Sequence, residues 1–177
     1  MPEPEAFDDF VRACSVRLGR IGALLTSGDV ARAEDLVAES LARVYLAWPR
    51  IRDGDAFGYA RRTMVNLHTD WWRRRDRRPE VLTDRLPDVT DRAASADSLA
   101  DRDGLMRALR QLTRRERAVV VLRYFADLTE QDTADELGVS VGTVKSQVSD
   151  GLKRLRTLMG TDVVLVANDT DGMAVGP

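Results

Sequence analysis

Residues 129–156 read TEQDTADELGVSVGTVKSQVSDGLKRLR, and this stretch decides the fold of the second half of the chain. Thr129 is a good helix N-cap. Gly138 stands where a left-handed residue ends a helix, and Ser140 can cap the next helix. The small side chain of Ala134 lets a second helix pack closely against the first. The stretch is therefore predicted to form a helix-turn-helix.

The second helix of this motif is predicted to have two different faces. Its inner face is apolar at helical spacing and consists of Val144, Val148, Gly151, Leu152 and Leu155. Its outer face is small or polar and consists of Gly142, Ser146, Ser149, Asp150 and Lys153. Such a helix can enter a DNA major groove. The alternative is a plain helical hairpin with a solvated outer face, and the order of Ala, Gly and Val in the motif favours DNA binding.

The charge of the chain is segregated along the sequence. The length of 177 residues allows one domain or two small ones. The formal net charge is −2, which by itself argues against a nucleic-acid-binding protein. However, residues 61–78 hold seven Arg and two Asp, whereas residues 80–104 hold one Glu, six Asp and three Arg. The basic stretch therefore predicts a local anion-binding surface.

Several classes of protein are disfavoured by composition. Cys14 and His68 are the only cysteine and histidine, which argues against a disulfide, a zinc site and His-based catalysis. We expect His68 to be a surface or partly packed side chain. No apolar run approaches the roughly 18 residues of a membrane span, and the N-terminus lacks a signal-peptide pattern. We expect a cytoplasmic protein with no membrane insertion, metal or cofactor.

The first half of the chain has helical periodicity, and no stretch alternates like a strand. Three helices are predicted, at about residues 6–25, 30–48 and 56–75. Ser27-Gly28-Asp29 should separate the first two helices. Pro49 should end the second helix, followed by a loop at residues 50–55.

The second half is also predicted to be helical, so the expected fold is all-α. Helices are expected at about residues 99–112 and 114–125, before the helix-turn-helix. Thr113 and Glu116 can form a capping box. Two small domains, residues 1–79 and 99–159, are predicted on either side of a flexible acidic linker at residues 80–98. Residues 160–177 are expected to be a mostly disordered tail.

The end of the third helix combines aromatic and basic residues. Residues 68–79 read HTDWWRRRDRRP, which places Trp71 and Trp72 beside five Arg. Arg pairs with phosphate and Trp stacks on bases, so nucleic-acid contact is the favoured interpretation. The alternative is a solvated basic helix end. One of the two Trp should pack in the core, because neighbours in a helix point about 100° apart.

Three stretches together resemble the extracytoplasmic-function group of the sigma-70 family, in its short actinobacterial form. They read AEDLVAESLARVYLAW, then AFGYARRTMVNLHTDWWRRRDRRPE, then LTRRERAVVVLRYFADLTEQDTADELGVSVGTVKSQVSDGLKRLR. The resemblance covers about Phe7 to Met159 and leaves the tail unmatched. Two independent motifs, in the right order and about the right distance apart, are more specific than a lone helix-turn-helix.

The resemblance implies that the first domain is a sigma-2 domain. Its second helix would bind the clamp helices of the largest subunit of core RNA polymerase through Asp35, Leu36, Glu39, Arg43 and Trp48. The loop at residues 50–55 and the next helix would hold a flipped base of the −10 element, an extrusion that costs a few kcal/mol. The implied −10 contacts are Arg52, Asn66, Trp71, Trp72, Arg73, Arg74, Arg75 and Arg77. The amide of Asn66 would offer the base both a donor and an acceptor.

The resemblance implies that the second domain is a sigma-4 domain that reads the −35 element of promoter DNA. The implied contacts are Arg117, Thr143, Lys145, Ser146, Gln147, Ser149, Lys153 and Arg154. The flap of the second-largest polymerase subunit is a further implied partner, and an anti-sigma factor remains an open one. The acidic linker would thread through channels that hold RNA, since such channels also attract other polyanions.

Two residues depart from the family pattern. Asp150 stands where many relatives carry an Arg that faces DNA, and an acid there repels phosphate. Gln147 also stands where Arg is common, and Gln pairs with adenine, so base preference should shift. Both departures weaken the expected −35 binding and leave the expected polymerase binding unaffected.

The sequence thus predicts a non-catalytic sigma factor that directs core polymerase to particular promoters. The alternative is a helix-turn-helix regulator that acts without being a polymerase subunit. Such a regulator usually needs a dimerisation element and would not need the basic helix at residues 61–78. An enzyme is disfavoured because the chain has one His, one Cys and no phosphate-binding Gly loop.

Overall fold

The computed structural model describes residues 4–76 and 96–160, which fall into two compact units. The first unit contains α1 (Pro4–Leu25), α2 (Val30–Ile51) and α3 (Ala56–Asp76). The second unit contains α4 (Ala96–Gln111), α5 (Arg114–Tyr124), α6 (Glu130–Leu137) and α7 (Val141–Met159). Over these residues the structure is all-α, as predicted. None of the described helices is long and apolar enough to cross a membrane.

Part of the predicted domain organisation lies outside the described residues. This applies to residues 77–95, which include most of the predicted acidic linker, and to residues 161–177 of the predicted tail. The described end of the linker differs from the prediction, because α4 begins at Ala96 and not near Leu99. Alanine has the highest intrinsic helix propensity, and Ser95, a residue type favoured at helix N-caps, directly precedes Ala96 in the sequence.

The turn between α1 and α2 forms where the sequence predicted a break. Ser27 and Gly28 have positive φ angles of 57° and 86°, so the chain leaves α1 in the left-handed region. The Asp29 carboxylate then accepts a hydrogen bond from the Arg32 N–H at 3.0 Å and caps α2. The three helices of this unit enclose a core that includes Leu18, Ile21, Leu36, Val44, Met64 and Val65.

Pro49 does not end α2, contrary to the prediction. The helix continues to Ile51, and the Arg52 N–H donates to the Trp48 carbonyl at 3.0 Å. A proline removes one backbone donor and crowds the carbonyl four residues earlier. Pro49 lies in the last turn of α2, where little helix remains to be disturbed. The loop before α3 is therefore residues 52–55, and Asp55 closes it by accepting the Gly58 N–H at 2.7 Å.

The helix ends of the second unit follow the predicted local signals. The Thr113 N–H donates to Glu116 Oε2 at 2.8 Å and the Glu116 N–H donates to Thr113 Oγ1 at 3.3 Å, which completes the predicted capping box. Thr129 caps α6 and Ser140 caps α7. Gly138, with φ 64° and ψ 40°, ends α6 in the left-handed conformation.

Helices α5 and α7 cross at a position where only glycine fits. A Cβ atom built on Gly151 would lie 2.9 Å from Cγ2 of Val120, closer than carbon atoms pack. Gly151 therefore allows α7 to approach α5 closely. The core around this crossing includes Leu109, Val119, Val120, Val121, Leu122, Ala134, Val144 and Leu155.

Candidate nucleic-acid interfaces

Helix α7 presents the two faces that the sequence predicted. On the inner face, Val144 and Leu155 are 0% exposed. The outer face is exposed and consists of Gly142, Ser146, Ser149, Asp150 and Lys153. Two further predicted DNA contacts, Thr143 and Gln147, are half-buried at the flank of this face. The Thr143 hydroxyl is also engaged at the start of the helix, 2.9 Å from the hydroxyl of Ser140.

Two cations of α7 are already paired with carboxylates of their own unit. Lys145 Nζ lies 3.4 Å from Oε2 of Glu130 on α6. Arg154 Nε lies 3.4 Å from Oε1 of Glu116 on α5, whose side chain is 5% exposed. A phosphate must compete with these carboxylates for both cations. Lys153 has an exposed side chain and makes no ion pair within the described residues.

Arg117 was predicted to contact DNA, but its guanidinium is turned into the second unit. Its Nε donates to the Leu109 carbonyl at 2.8 Å and its Nη2 donates to the Leu112 carbonyl at 3.2 Å. These acceptors lie at and just beyond the end of α4, where carbonyls lack a full set of intrahelical partners, and Leu109 also accepts the Leu112 N–H at 3.2 Å. Burial, with smaller contributions from Arg114 and Arg110, lowers the pKa of Arg117 to about 10. Arg117 therefore acts as a side-chain cap of α4.

Asp150 borders a shallow groove of about 540 Å³ that lies between α4 and the C-terminal half of α7. The groove is lined by Gln111, Asp150, Lys153, Arg154, Thr157 and Leu158. The carboxylate of Asp150 thus stands beside two cations on an exposed face. It reduces the positive potential that this face offers to phosphate.

The two tryptophans of α3 are both half-buried, so neither is wholly in the core, as one was predicted to be. The guanidinium carbon of Arg32, on α2, lies 4.5 Å from the centre of the Trp71 ring. The Trp72 N–H donates to Nε2 of His68 at 3.2 Å. His68 is only 6% exposed, whereas a surface or partly packed position was expected. Both contacts leave less indole surface for base stacking than the sequence predicted.

The basic end of α3 is exposed at Arg73 and Arg74. Arg73 Nη1 lies 3.7 Å from Oδ1 of Asp70, a loose surface pair of little energetic weight. Burial lowers the pKa of Arg32, nearby carboxylates oppose this, and the charge of Arg74 lowers it further. The Arg75 side chain and Arg77, two further predicted contacts, lie outside the described part of the chain.

A cavity of about 680 Å³ opens at the loop between α2 and α3. It is lined by Ala6, Phe10, Trp48, Arg52, Asp53, Gly54, Asp55, Ala56 and Phe57. Aromatic residues from three different helices thus line one space, and the half-buried Phe10 and Phe57 are the two whose rings a ligand can contact, because Trp48 is only 4% exposed. Such an arrangement suits a planar ring that stacks on aromatic side chains.

One aromatic wall of this cavity also attracts two arginines. The guanidinium carbon of Arg17, on α1, lies 4.3 Å from the centre of the Phe57 ring. The guanidinium carbon of Arg61, on α3, lies 5.8 Å from the same centre. Both distances are within the range of cation–π attraction.

Asn66 and the loop cavity are separate, although the sequence placed them in one pocket. Asn66 is exposed on α3 and does not line the cavity. It lies about 15 Å along the helix axis from Ala56, because a helix rises about 1.5 Å per residue. Tyr59, which was not predicted as a contact residue, is 36% exposed and lies two turns before Asn66 on α3. Its helical spacing to Asn66 was the available signal.

The predicted polymerase-binding residues of α2 divide between its surface and the core. Asp35, Glu39 and Arg43 are exposed, and Arg43 Nη2 donates to Glu39 Oε1 at 2.7 Å. Leu36 is 1% exposed and Trp48 is 4% exposed, so their side chains pack inside the unit and offer no contact surface. This corrects both assignments, since the apolar stripe of α2 is its inner face.

The exposed face of α2 contains apolar residues that were not among the predicted polymerase contacts. Leu46 is 79% exposed, and Ala38 and Ala42 are exposed at the preceding positions of the same i, i+4 row. Tyr45 is 40% exposed beside them. An exposed leucine alone is ordinary, but a row of apolar side chains flanked by acids suits a protein partner.

Comparisons with known proteins identify the family. Residues 5–78 match the family model for Sigma-70 region 2, and residues 102–155 match the model for Sigma-70, region 4. An RNA polymerase sigma-E factor of Streptomyces coelicolor is 39% identical over 176 residues, which cover 99% of this chain and 94% of the relative. The ECF RNA polymerase sigma factor SigE of Mycolicibacterium smegmatis is 35% identical over 159 residues, covering 85% of this chain and 60% of the relative.

A solved structure shows the same fold. It is that of the sigma factor RpoE in complex with the anti-sigma factor NepR from Bartonella quintana, with a TM-score of 0.68 and 24% identity. The match covers 88% of this chain and 99% of the Bartonella chain. The two matched regions, in order, and the similarity along nearly the whole length agree with the two helical units described above. The chain is therefore a member of the sigma-70 family of RNA polymerase sigma factors, in its extracytoplasmic-function group.

Proposed function

We propose that this chain binds core RNA polymerase through its first unit, opens promoter DNA at the −10 element with the same unit, and reads the −35 element with its second unit. In this role it supplies binding surfaces and no catalytic groups, and it acts in the cytoplasm, where polymerase and DNA are. An anti-sigma factor is a further proposed partner, since the Bartonella structure contains one.

The observation that carries this proposal is the exposed face of α2. Leu46, at 79% exposure, extends a row of small apolar residues, and Asp35 and Glu39 border the row. Apolar contact area gives affinity, and bordering charges give orientation and specificity. The clamp helices of the largest polymerase subunit are the partner that we assign to this face.

The loop cavity is the part of the first unit that we assign to base extrusion. A base that leaves the duplex loses stacking and pairing worth a few kcal/mol. The half-buried rings of Phe10 and Phe57 line a space in which that base can stack again, and the buried Trp48 packs behind Phe10. Tyr59 and Asn66, farther along the outer side of α3, are then placed to contact neighbouring nucleotides of the opened strand.

The second unit is assigned to duplex DNA, with a smaller contact set than the sequence suggested. The outer face of α7 offers Ser146, Ser149 and Lys153. Lys145 and Arg154 can join only if they leave Glu130 and Glu116. We therefore propose that this unit binds −35 DNA weakly by itself and depends on polymerase to hold it at the promoter.

A regulator that binds DNA without polymerase is the competing function. It would use α7 in the same way but would leave the α2 face and the loop cavity without a role. The test is reconstitution of the full chain with core polymerase, followed by permanganate mapping of unpaired thymines. We expect co-elution with core and a melted region at the −10 element. Specific DNA binding without co-elution and without melting would favour the competing function.

A further inference from the structure

Arg17 packs on Phe57, one of the residues that line the loop cavity, and has unused hydrogen-bonding capacity. Its guanidinium carbon lies 4.3 Å from the centre of the Phe57 ring, and Phe57 lines the cavity. The residue is exposed. Within the described residues, Arg17 makes no ion pair and donates no hydrogen bond. The planar guanidinium keeps its five N–H donors when it stacks on a ring, so they remain available for a ligand.

The other two exposed arginines of α1 do not combine an aromatic contact with unpaired donors. Arg12 Nη2 donates to Asp9 Oδ1 at 2.7 Å, so its charge is paired. Arg20 is exposed one turn beyond Arg17 and contacts no aromatic ring among the described residues. Arg17 is thus distinguished from its neighbours by its contact with the cavity wall, and its orientation is set by that contact.

The charges around the cavity favour an anion on the α1 side. Arg61 lies 5.8 Å from the same Phe57 ring but is only 8% exposed, so Arg17 is the cation at this ring that a ligand can reach. The acids that line the cavity, Asp53 and Asp55, lie in the loop before α3. Asp53 is 3.7 Å from Arg52 Nε, and Asp55 caps α3. Because Asp53 and Asp55 repel a phosphate and Arg17 attracts one, electrostatics favour a bound nucleotide whose phosphate is directed toward Arg17.

We propose that Arg17 binds the backbone phosphate next to the base that is extruded into the loop cavity. The ligand is a single-stranded nucleotide segment, whose base stacks on the aromatic walls and whose phosphate pairs with the Arg17 guanidinium. The stacking on Phe57 orders the guanidinium before DNA arrives, which reduces the entropy lost on binding. The inference rests on the proposed function of the cavity as the site of base extrusion.

The test uses holoenzyme made from the full chain and core polymerase, bound to a fork-junction promoter DNA. The DNA carries 2-aminopurine at the extruded position, and affinity is measured over a range of KCl concentrations. We expect Arg17→Ala to bind about tenfold more weakly. Its salt slope should fall by about 0.7, the value for one single-strand phosphate contact. The matched control Arg20→Ala removes the same charge from the same helix and should leave both quantities unchanged.

A second series places a neutral methylphosphonate at each backbone position around the extruded base. At one position the substitution should weaken the wild type about tenfold and leave Arg17→Ala unaffected, since the two changes remove the same contact. Arg17→Lys should keep most of the salt slope. Thermal unfolding of each variant checks that the fold is intact. Equal losses in wild type and Arg17→Ala at every position would overturn the proposal.

The fluorescence of 2-aminopurine separates failure of this inference from failure of the proposed function. If the wild type extrudes the base and Phe10→Ala does not, the cavity is confirmed as the base site. Unchanged affinity and slope for Arg17→Ala would then reject only the phosphate contact. If the wild type shows no extrusion, or if Phe10→Ala extrudes the base normally, the proposed role of the cavity fails and the Arg17 assignment fails with it.

Discussion

The cations of the two units are engaged in different ways. In the second unit, Lys145 and Arg154 pair with carboxylates, and Arg117 caps a helix. In the first unit, Arg17 and Arg74 are exposed and make no ion pair within the described residues, whereas Arg52 and Arg73 lie 3.7 Å from exposed carboxylates. In the unit with the helix-turn-helix, which the sequence marks most clearly as DNA-binding, three of the four cations predicted to contact DNA, all but Lys153, are therefore engaged in the fold of that unit.

This difference suggests how the two units divide the work. Phosphate contacts supply most of the affinity of a protein for DNA, whereas base contacts supply specificity. A surface whose cations are already paired contributes little affinity through phosphate contacts, but it can still contribute specificity through base contacts. We infer that the first unit provides affinity, through polymerase and the opened strand, and that the second unit provides discrimination.

The largest expected effect concerns the exposed face of α2. Leu46→Asp should weaken binding to core polymerase by about 100-fold or more, because a carboxylate in the centre of an apolar interface loses hydration without a partner. Val16 on α1 has the same exposure as Leu46, 79%. Val16→Asp is therefore the matched control and should bind core normally. Equal affinities of the two variants, measured by fluorescence anisotropy of labelled chain, would remove polymerase binding from this face.

The next effect concerns Arg117. Arg117→Met should destabilise the protein by about 2 kcal/mol, because the carbonyls of Leu109 and Leu112 lose a charged donor. Circular dichroism during urea unfolding measures this change. Arg115→Met, at an exposed position of the same helix, should have almost no effect. If Arg117→Met keeps full stability and instead lowers the salt slope of DNA binding, the sequence-based assignment of Arg117 to DNA is right.

A smaller effect is expected in the aromatic wall of the loop cavity. Phe10→Ala should slow promoter opening about tenfold, since stacking on one aromatic ring is worth about 1–3 kcal/mol per base. Phe7 packs against Phe10 and Trp48, with ring centres 6.2 and 5.3 Å away, but does not line the cavity. Phe7→Ala is therefore the control for lost packing. Similar opening rates in both variants would assign the ring of Phe10 to the core alone.

The smallest effect is a gain at the second unit. Asp150→Arg should strengthen binding of the full chain to duplex −35 DNA several-fold and steepen the salt slope by about one unit, because it replaces a repelled acid by one phosphate contact. Glu130→Gln should act in the same direction by releasing Lys145. A salt titration of duplex binding measures both. An unchanged salt slope for Asp150→Arg would mean that the side chain at position 150 points into the groove beside α4 and faces away from DNA.

The sequence predicted the elements whose ends depend on nearby residues. Thr113, Gly138 and Ser140 set helix ends through hydrogen bonds or φ values that involve about four residues, and all three were placed correctly. Pro49 was misjudged because its effect depends on how much helix follows it. The contacts of the two half-buried tryptophans, Trp71 with Arg32 and Trp72 with His68, were not predicted.

The candidate sites were less predictable because they depend on contacts between helices. Leu36 and Trp48 were assigned to polymerase by resemblance, although their periodicity already indicated the core. The role of Arg117 could be recognised only once the end of α4 was located, because its partners are carbonyls there. The stack of Arg17 on Phe57 joins two helices that lie about 40 residues apart in sequence, and no local pattern marks such a contact.

The central claim is that this chain is a polymerase subunit that opens promoters. The most direct measurement is run-off transcription from a genomic library, with core polymerase and this chain as the only added specificity factor. We predict discrete transcripts whose upstream regions share two elements separated by a fixed spacing, and loss of these transcripts with Leu46→Asp. The account would be contradicted if the transcripts were the same as those made by core polymerase alone while the chain bound specific duplex sites without polymerase.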